Sequence, residues 1–207
     1  MSDANETGYY FRPRIDIELL LSLPPNDVFI TSACVAFWQY EDIEEIVEKL
    51  HNHFGNNFML EIQNHDTEKQ IALNKRILAL SQKLGIEMIV GLDSHYIYPE
   101  DESQRDYVLA AKNVRYEDEE GWYMDYPDDE TVMNRFLKQN VFTREQIQRA
   151  MDNTDICLTF EDIVFDTDIK LPKAYPDKTQ EETNKIYSKL ITQKFKEYMK
   201  DVPKEEY

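Results

Sequence analysis

The stretch Phe58–Tyr98, FMLEIQNHDTEKQIALNKRILALSQKLGIEMIVGLDSHYIY, constrains the fold of this chain more than any other. Phe58, Leu60 and Ile62 alternate with Met59, Glu61 and Gln63 at strand period, Met59 being apolar as well. Thr67 is placed to cap a helix whose first turn holds Glu68 and Gln70. Leu73, Ile77, Leu80 and Leu84 then repeat at three and four residues along one helix face. Gly85 is the expected helix stop. Ile86, Met88, Ile89 and Val90 follow as a short apolar run that suits a strand covered on both faces. Strand, helix and strand make a βαβ unit. Asp93 and His95 lie just past the C-terminal end of its second strand, the edge where α/β folds build sites.

Two residues apart on an extended backbone, Asp93 and His95 point the same way. A carboxylate oxygen and an imidazole nitrogen on one side can share a divalent ion. The plainer alternative is that Asp93 caps a turn and His95 packs at the strand end, because short D-x-H patterns arise readily by chance. His65 follows the first strand and is a candidate neighbour of Asp93, its plainer role being a solvated turn residue. His51 and His53 form an H-x-H, but on a predicted helix they diverge by about 200°, so they are read as surface histidines and not as chelators. Cys157 sits in a helical apolar pattern and is read as core. Glu61 is read as structural or hydrogen-bonded.

Elsewhere the pattern is mostly helical. Asp16–Leu23 is a short helix stopped by Pro24 and Pro25, and Val28–Ser32 a buried strand. Ile43, Ile46, Val47, Leu50 and Phe54 line a helix with an acidic outer face. Further helices are expected at Ser103–Lys112, Asp128–Asn140, Thr143–Asn153 and Glu181–Lys200. Capping boxes are expected at Thr143 with Gln146 and at Thr179 with Glu182. Ile163–Leu171 reads as extended and Pro172–Asp177 as a loop.

Charge excludes one class of role. Asp and Glu total 41 against 23 Lys and Arg, a net charge of −18, which repels phosphate backbones. The segment Glu117–Glu130 is nearly all acid and aromatic. Trp122, Tyr123 and Tyr126 could stack on bases, but the surrounding acids favour protein packing. Direct nucleic-acid binding by this chain alone is therefore not expected. There is no apolar run of transmembrane length, and the polar N-terminus MSDANETG lacks a signal-peptide core. Two cysteines, Cys34 and Cys157, make no disulfide framework. These features predict a cytoplasmic protein that does not engage membranes.

Several motifs, in order and with similar spacing, resemble one family. MLEIQNH at Met59–His65, GIEMIVGLDSHY at Gly85–Tyr96 and YPEDE at Tyr98–Glu102 resemble its "YLEIQ-x-H" strand, its D-x-H-Y strand and its "R-P-E-D" turn. FRPRID at Phe11–Asp16 resembles "YKPRID", and VFITSAC at Val28–Cys34 resembles "LIVTSGC". WYMDYPDDETV at Trp122–Val132 and IKLPKAYP at Ile169–Pro176 resemble "FYLKSPEEM" and "LPKFP". The family is the polymerase-and-histidinol-phosphatase (PHP) domain of the bacterial replicative DNA polymerase III alpha subunit, and the resemblance runs from about Tyr9 to Leu190.

What the resemblance implies is specific. The fold would be α/β, a partial PHP-type, distorted TIM-like barrel with mainly parallel strands. Residues 1–127 would form it, and residues 128–207 a mostly helical extension leading toward the polymerase palm. The family's H-x-H strand and other early ligands precede the positions matched here, so only Cys34, Asp93 and His95 carry over as metal ligands, for zinc, manganese or magnesium held weakly or not at all. Ala33 stands where the family usually has glycine before the cysteine. The palm carboxylates lie beyond the matched region. The implied function is that of a fragment or split subunit of a DNA polymerase III alpha subunit, in DNA replication and template-directed nucleotidyl transfer. Its PHP part would serve as an exonuclease or a structural metal domain, inactive alone. The alternative is a stand-alone, non-catalytic accessory protein that kept the PHP-like fold. Expected partners are the remaining alpha-subunit segments or replisome proteins, or a second copy through an open sheet edge.

Overall fold

Three parallel strands organise the computed structural model, which describes residues 14–116, 121–162 and 174–200 and the isolated positions 5, 6, 8, 9, 11, 12, 164 and 167. Strand β1 (Ile30–Thr31), β2 (Phe58–Gln63) and β3 (Met88–Gly91) form one sheet in the order β1-β2-β3. Ile30 pairs with Phe58, and β2 pairs with β3 from Leu60 opposite Met88 to Gln63 opposite Gly91. Before the sheet, helix α1 (Ile17–Leu21) is capped by Asp16, whose Oδ1 accepts the Leu19 N–H at 2.8 Å. Helix α2 (Ile43–Phe54) carries the chain from β1 to β2, and α3 (Glu68–Leu84) carries it from β2 to β3. The architecture is mixed α/β with a small parallel sheet.

β2 is the central strand, and burial follows that position. Only Glu61 of its six residues is partly exposed, whereas the edge strand β3 buries Met88 and Ile89 and leaves Val90 and Gly91 half-buried. The sequence assigns burial on both faces to β3; the structure gives it to β2. β1 is shorter than the predicted Val28–Ser32: it pairs with β2 at Ile30 and Thr31, and the Ser32 N–H still donates to Met59 O at 3.1 Å just past its end. α2 presents Ile43, Val47, Leu50 and Phe54 to the core as its spacing predicts. α3 does so only in part. Ile77 and Leu80 are buried and Leu73 and Leu84 half-buried, while the polar Gln70 and Asn74 occupy the same inward face. Thr67 caps α3 by accepting the Gln70 N–H, and Gly85 ends it in the left-handed conformation.

After β3, helix α4 (Glu102–Ala111) buries none of its residues. Helices α5 (Asp129–Lys138) and α6 (Arg144–Asp152) return to the sheet and add Val132, Met133, Phe136, Ile147 and Ala150 to the core that holds Phe58 and Leu60. The predicted box at Thr143 and Gln146 caps α6. Because α5 and α6 pack into this core, the first compact unit runs on past residue 127 to Phe160. A 3₁₀ segment, Asn153–Thr159, closes that unit. It buries none of its side chains, and Cys157 is exposed, so the core reading of Cys157 does not hold: the tighter 3₁₀ turn breaks the α-helical phase on which it rested.

The second unit, from Glu161 onward, contains helix α7 (Gln180–Met199) with its predicted Thr179 and Glu182 capping box. Tyr187, Leu190, Ile191, Phe195 and Tyr198 on that helix are exposed. Most of the expected extended run at 163–171, the start of the loop at 172–177, and residues 117–120 of the acidic segment lie outside the described residues. Among the described residues, no helix is long and apolar enough to cross a membrane.

Candidate functional site

Parallel strands bring their C-terminal ends to one edge, so the residues after β1, β2 and β3 gather there. Glu61 ties the three strands together just below it. Its Oε2 accepts the Thr31 hydroxyl at 2.7 Å from β1, and its Oε1 accepts the Gln63 amide at 2.9 Å. Its side chain then lies against Gly91 of β3, in the space a β-carbon there would occupy. Ser32, fully buried, accepts the Glu61 N–H at 2.9 Å and fixes the start of the next loop.

That loop carries Cys34, half-buried with a free thiol. Ala33 before it has φ of +49°, the left-handed region that favours glycine. The turn thus keeps, with an alanine, the kind of backbone conformation for which glycine is the usual residue, at a strain of about 1 kcal/mol.

Asp93 and His95 sit beyond the last residue of β3, on a turn and not on the strand. Asp93 has φ of +53°, a conformation aspartate tolerates, and its Oδ1 lies 3.5 Å from His95 Nε2. The two side chains do meet, as the spacing suggests, but the turn joins them and not strand alternation. The segment Met124–Asp125 holds this turn. Met124 O accepts the N–H groups of His95 at 2.8 Å and Tyr96 at 3.2 Å, and Asp125 O accepts the Ser94 hydroxyl at 2.8 Å. Arg135 grips Asp125 with two bonds of 2.7 and 2.8 Å and lies 4.1 Å from the Tyr123 ring centroid. The Arg135 guanidinium holds the Asp125 carboxyl below its ordinary range.

His65 is not a solvated turn residue: it is fully buried. Its ring lies tilted against Trp122 with centroids 4.5 Å apart, and its Nδ1 accepts the Tyr123 N–H at 3.1 Å. An accepting Nδ1 leaves the proton on Nε2, which has no partner. Burial pushes the imidazole pKa down to about 4; the negative charge of Asp93 works against this and the positive charge of Arg135 with it. Asn64 beside His65 is also buried, with neither end of its amide bonded.

A buried polar network pins this end of β2, and the sequence reading missed it. Asn74 Nδ2 donates to Gln63 O at 2.8 Å and to Gln139 Oε1 at 2.7 Å. Gln139 Nε2 donates to His65 O at 2.8 Å and Gln63 O at 3.2 Å, and Gln70 Nε2 donates to Asn74 Oδ1 at 3.0 Å. The available signal was phase: Gln70 and Asn74 share the helical face of Ile77, and Gln139 follows Phe136 by three residues.

The remaining candidates separate cleanly. His51 and His53 are half-buried on α2; His53 Nε2 lies 3.0 Å from Leu23 O, and His51 Nδ1 is enclosed without a partner. Trp122 and Tyr123 pack within the protein as expected, and Tyr126 is exposed. The strand order puts the Cys34 loop and the Asp93 turn on opposite sides of β2, roughly 10 Å apart at ordinary strand spacing. Among the described residues, no three His, Cys, Asp or Glu side chains are grouped to hold a metal ion. Asp93 and His95 offer two donors, and a catalytic zinc site takes three from the protein. Among the described residues the donor set is thus short of a complete centre.

Comparison with known proteins gives a consistent answer. No family model matches the chain. It is 32% identical over 111 residues to the DNA polymerase III subunit alpha of Borreliella burgdorferi, covering 50% of this chain and 10% of that protein. It is 28% identical over 116 residues to the subunit of the same name from Aquifex aeolicus, covering 53% and 10%. The subunit from Deinococcus radiodurans is 29% identical over 152 residues, covering 70% and 11%. The chain thus spans about a tenth of the length of these relatives. Its similarity to DNA polymerase III alpha subunits, expected from the motifs, holds over half of the chain or more.

Proposed function

We propose that this chain works in DNA replication as a PHP-like segment of an alpha-type DNA polymerase, together with polymerase segments carried on separate chains or in a longer gene product. The similarity to several alpha subunits at 28–32% identity carries this reading. On it, the three-stranded sheet is part of the distorted PHP-type barrel, and template-directed nucleotidyl transfer belongs to the assembled polymerase. The chain's own role is structural. Cys34, Asp93 and His95, with His65 beside them, are the remnant of the metal site and hold zinc, manganese or magnesium weakly. Two observations support that weakness: only Asp93 and His95 approach each other, and their side chains are 39% and 49% exposed. Alone, the chain neither extends a primer nor degrades DNA.

Reconstitution tests this. The palm-bearing polymerase chain from the same genome is assayed on a primed template with and without the 207-residue protein. Association at micromolar concentration and a severalfold gain in extension are expected. A polymerase that is fully active without this chain and does not bind it would sink the reading. Robust manganese-dependent degradation of single-stranded DNA by the chain alone, lost in Asp93→Asn, would show a complete active site instead. Stoichiometric metal by elemental analysis, abolished by Asp93→Ala or His95→Ala, would overturn the weak-site assignment.

A stand-alone accessory protein that kept the fold without the chemistry is the second reading. The net charge of −18 favours it, since such a surface suits contact with proteins better than with nucleic acid. Neighbouring reading frames with palm aspartates and an H-x-H strand would favour the first reading over this one.

A further inference from the structure

We propose that the groove beside the free edge of β3 is a docking surface for an extended, basic segment of another polypeptide, which adds to the sheet as a fourth strand. The inference stands on the groove itself and does not require the polymerase reading. Among the described residues β3 pairs with β2 alone, and on the side away from β2 the end of α6 and the 3₁₀ segment Asn153–Thr159 lie near it without pairing as a strand. The Leu60 N–H donates to Glu87 O at 2.9 Å, so Glu87, Ile89 and Gly91 face β2, and alternation turns the backbone groups of Met88 and Val90 outward. Asn153 Nδ2 donates to Met88 O at 2.8 Å and closes the first of these positions. Among the described residues, no other element hydrogen-bonds the backbone of Val90. Nor does the run Met88–Leu92 carry the lysine or proline that natural edge strands use to discourage pairing.

The edge opens into a groove of about 920 Å³ with a distinct chemistry. Val90, Leu92 and Met151 give it an apolar floor, while Asp129, Glu130 and Asp155 stand on its rim. No cation pairs with these three carboxylates among the described residues. An added strand gains main-chain bonds at the edge, and its side chains alternate between floor and rim. Apolar β-branched residues suit the floor, and lysine or arginine suits the rim. A second copy of this chain is the poorer occupant, since two molecules each at −18 repel.

The probe is a short fluorescein-labelled peptide of alternating lysine and valine, with a second peptide of the same sequence N-methylated at alternate backbone positions. Fluorescence anisotropy with the full 207-residue chain should show saturable binding that weakens with salt. Affinity should fall about tenfold or more on N-methylation, and by a similar factor in the variant combining Asp129→Asn, Glu130→Gln and Asp155→Asn. Amide exchange at Val90 should slow in the presence of the unmodified peptide. These rim residues are exposed, and circular dichroism verifies that the variant is folded. Equal affinity for the N-methylated peptide would reduce the effect to charge attraction and overturn the proposal. An unchanged affinity in the rim variant, no binding at all, or sedimentation showing a dimer of this chain that protects Val90 would overturn it as well.

Discussion

The ends of β2 and β3 carry histidines on neighbouring strands of one sheet, yet they are built in opposite ways. The β2 end is sealed: His65 is fully buried, packed against Trp122, and its carbonyl is held by Gln139. The β3 end is open: Asp93 and His95 lie on a solvent-facing turn secured by backbone bonds from Met124. The difference follows from position in the sheet. A central strand is enclosed by helices on both faces, so its last carbonyls must find side-chain donors. An edge strand can finish in water. The buried end therefore carries stability, and the open end carries whatever chemistry or contact the site retains.

The contrast can be broken most forcefully at Asn74. Asn74→Ala removes donors from Gln63 O and Gln139 Oε1 inside the core, and should lower unfolding free energy by about 3 kcal/mol in urea titration. A loss near zero would mean that the network is slack. Acid attacks the same end through His65, whose pKa falls from 6.5 to about 4 on folding. The unfolded chain binds the proton first, so stability is unaffected above pH 6.5 and falls as pH drops toward 4. The loss should reach about 2 kcal/mol by pH 5. His65→Gln should flatten that part of the pH–stability curve; an unchanged slope would assign it to other groups. The Asp125 carboxylate adds loss of the same sign, but only near and below its ordinary value of 3.8.

Smaller effects are expected at the open edge. Ala33→Gly relieves the left-handed strain and should raise the melting temperature, for a gain of about 0.5–1 kcal/mol. A loss would indicate that the alanine methyl packs usefully. His95→Ala should change stability by less than about 0.5 kcal/mol, the ordinary range for an exposed side chain. A drop comparable to that of Asn74→Ala would erase the distinction between the two ends.

Much of the framework was legible because its signals are local. Thr67, Thr143 with Gln146, Thr179 with Glu182, and Gly85 mark helix ends through bonds within a few residues, and each forms as expected. The pairing of Asp93 with His95 was legible as well, though not the turn that produces it. What stayed hidden depends on partners distant in the chain. Gln70, Asn74 and Gln139 carry the phase of the inward face, but nothing local shows the β2 carbonyls that Asn74 and Gln139 bind. His65 looks exposed until Trp122 closes over it. Cys157 matched an apolar helical phase, but the chain there winds as a 3₁₀ segment and turns it outward.

Gly91 gives the sheet an unusual kind of remote control. The carboxylate that anchors β1 to β2 occupies the space a side chain at position 91 would need. Exchanging one hydrogen atom there for a methyl group would displace Glu61 and, with it, the Thr31 bond on the far strand. A change on β3 would thus be felt as loosening of β1 and of the Cys34 turn beyond it, across a central strand that itself need not move.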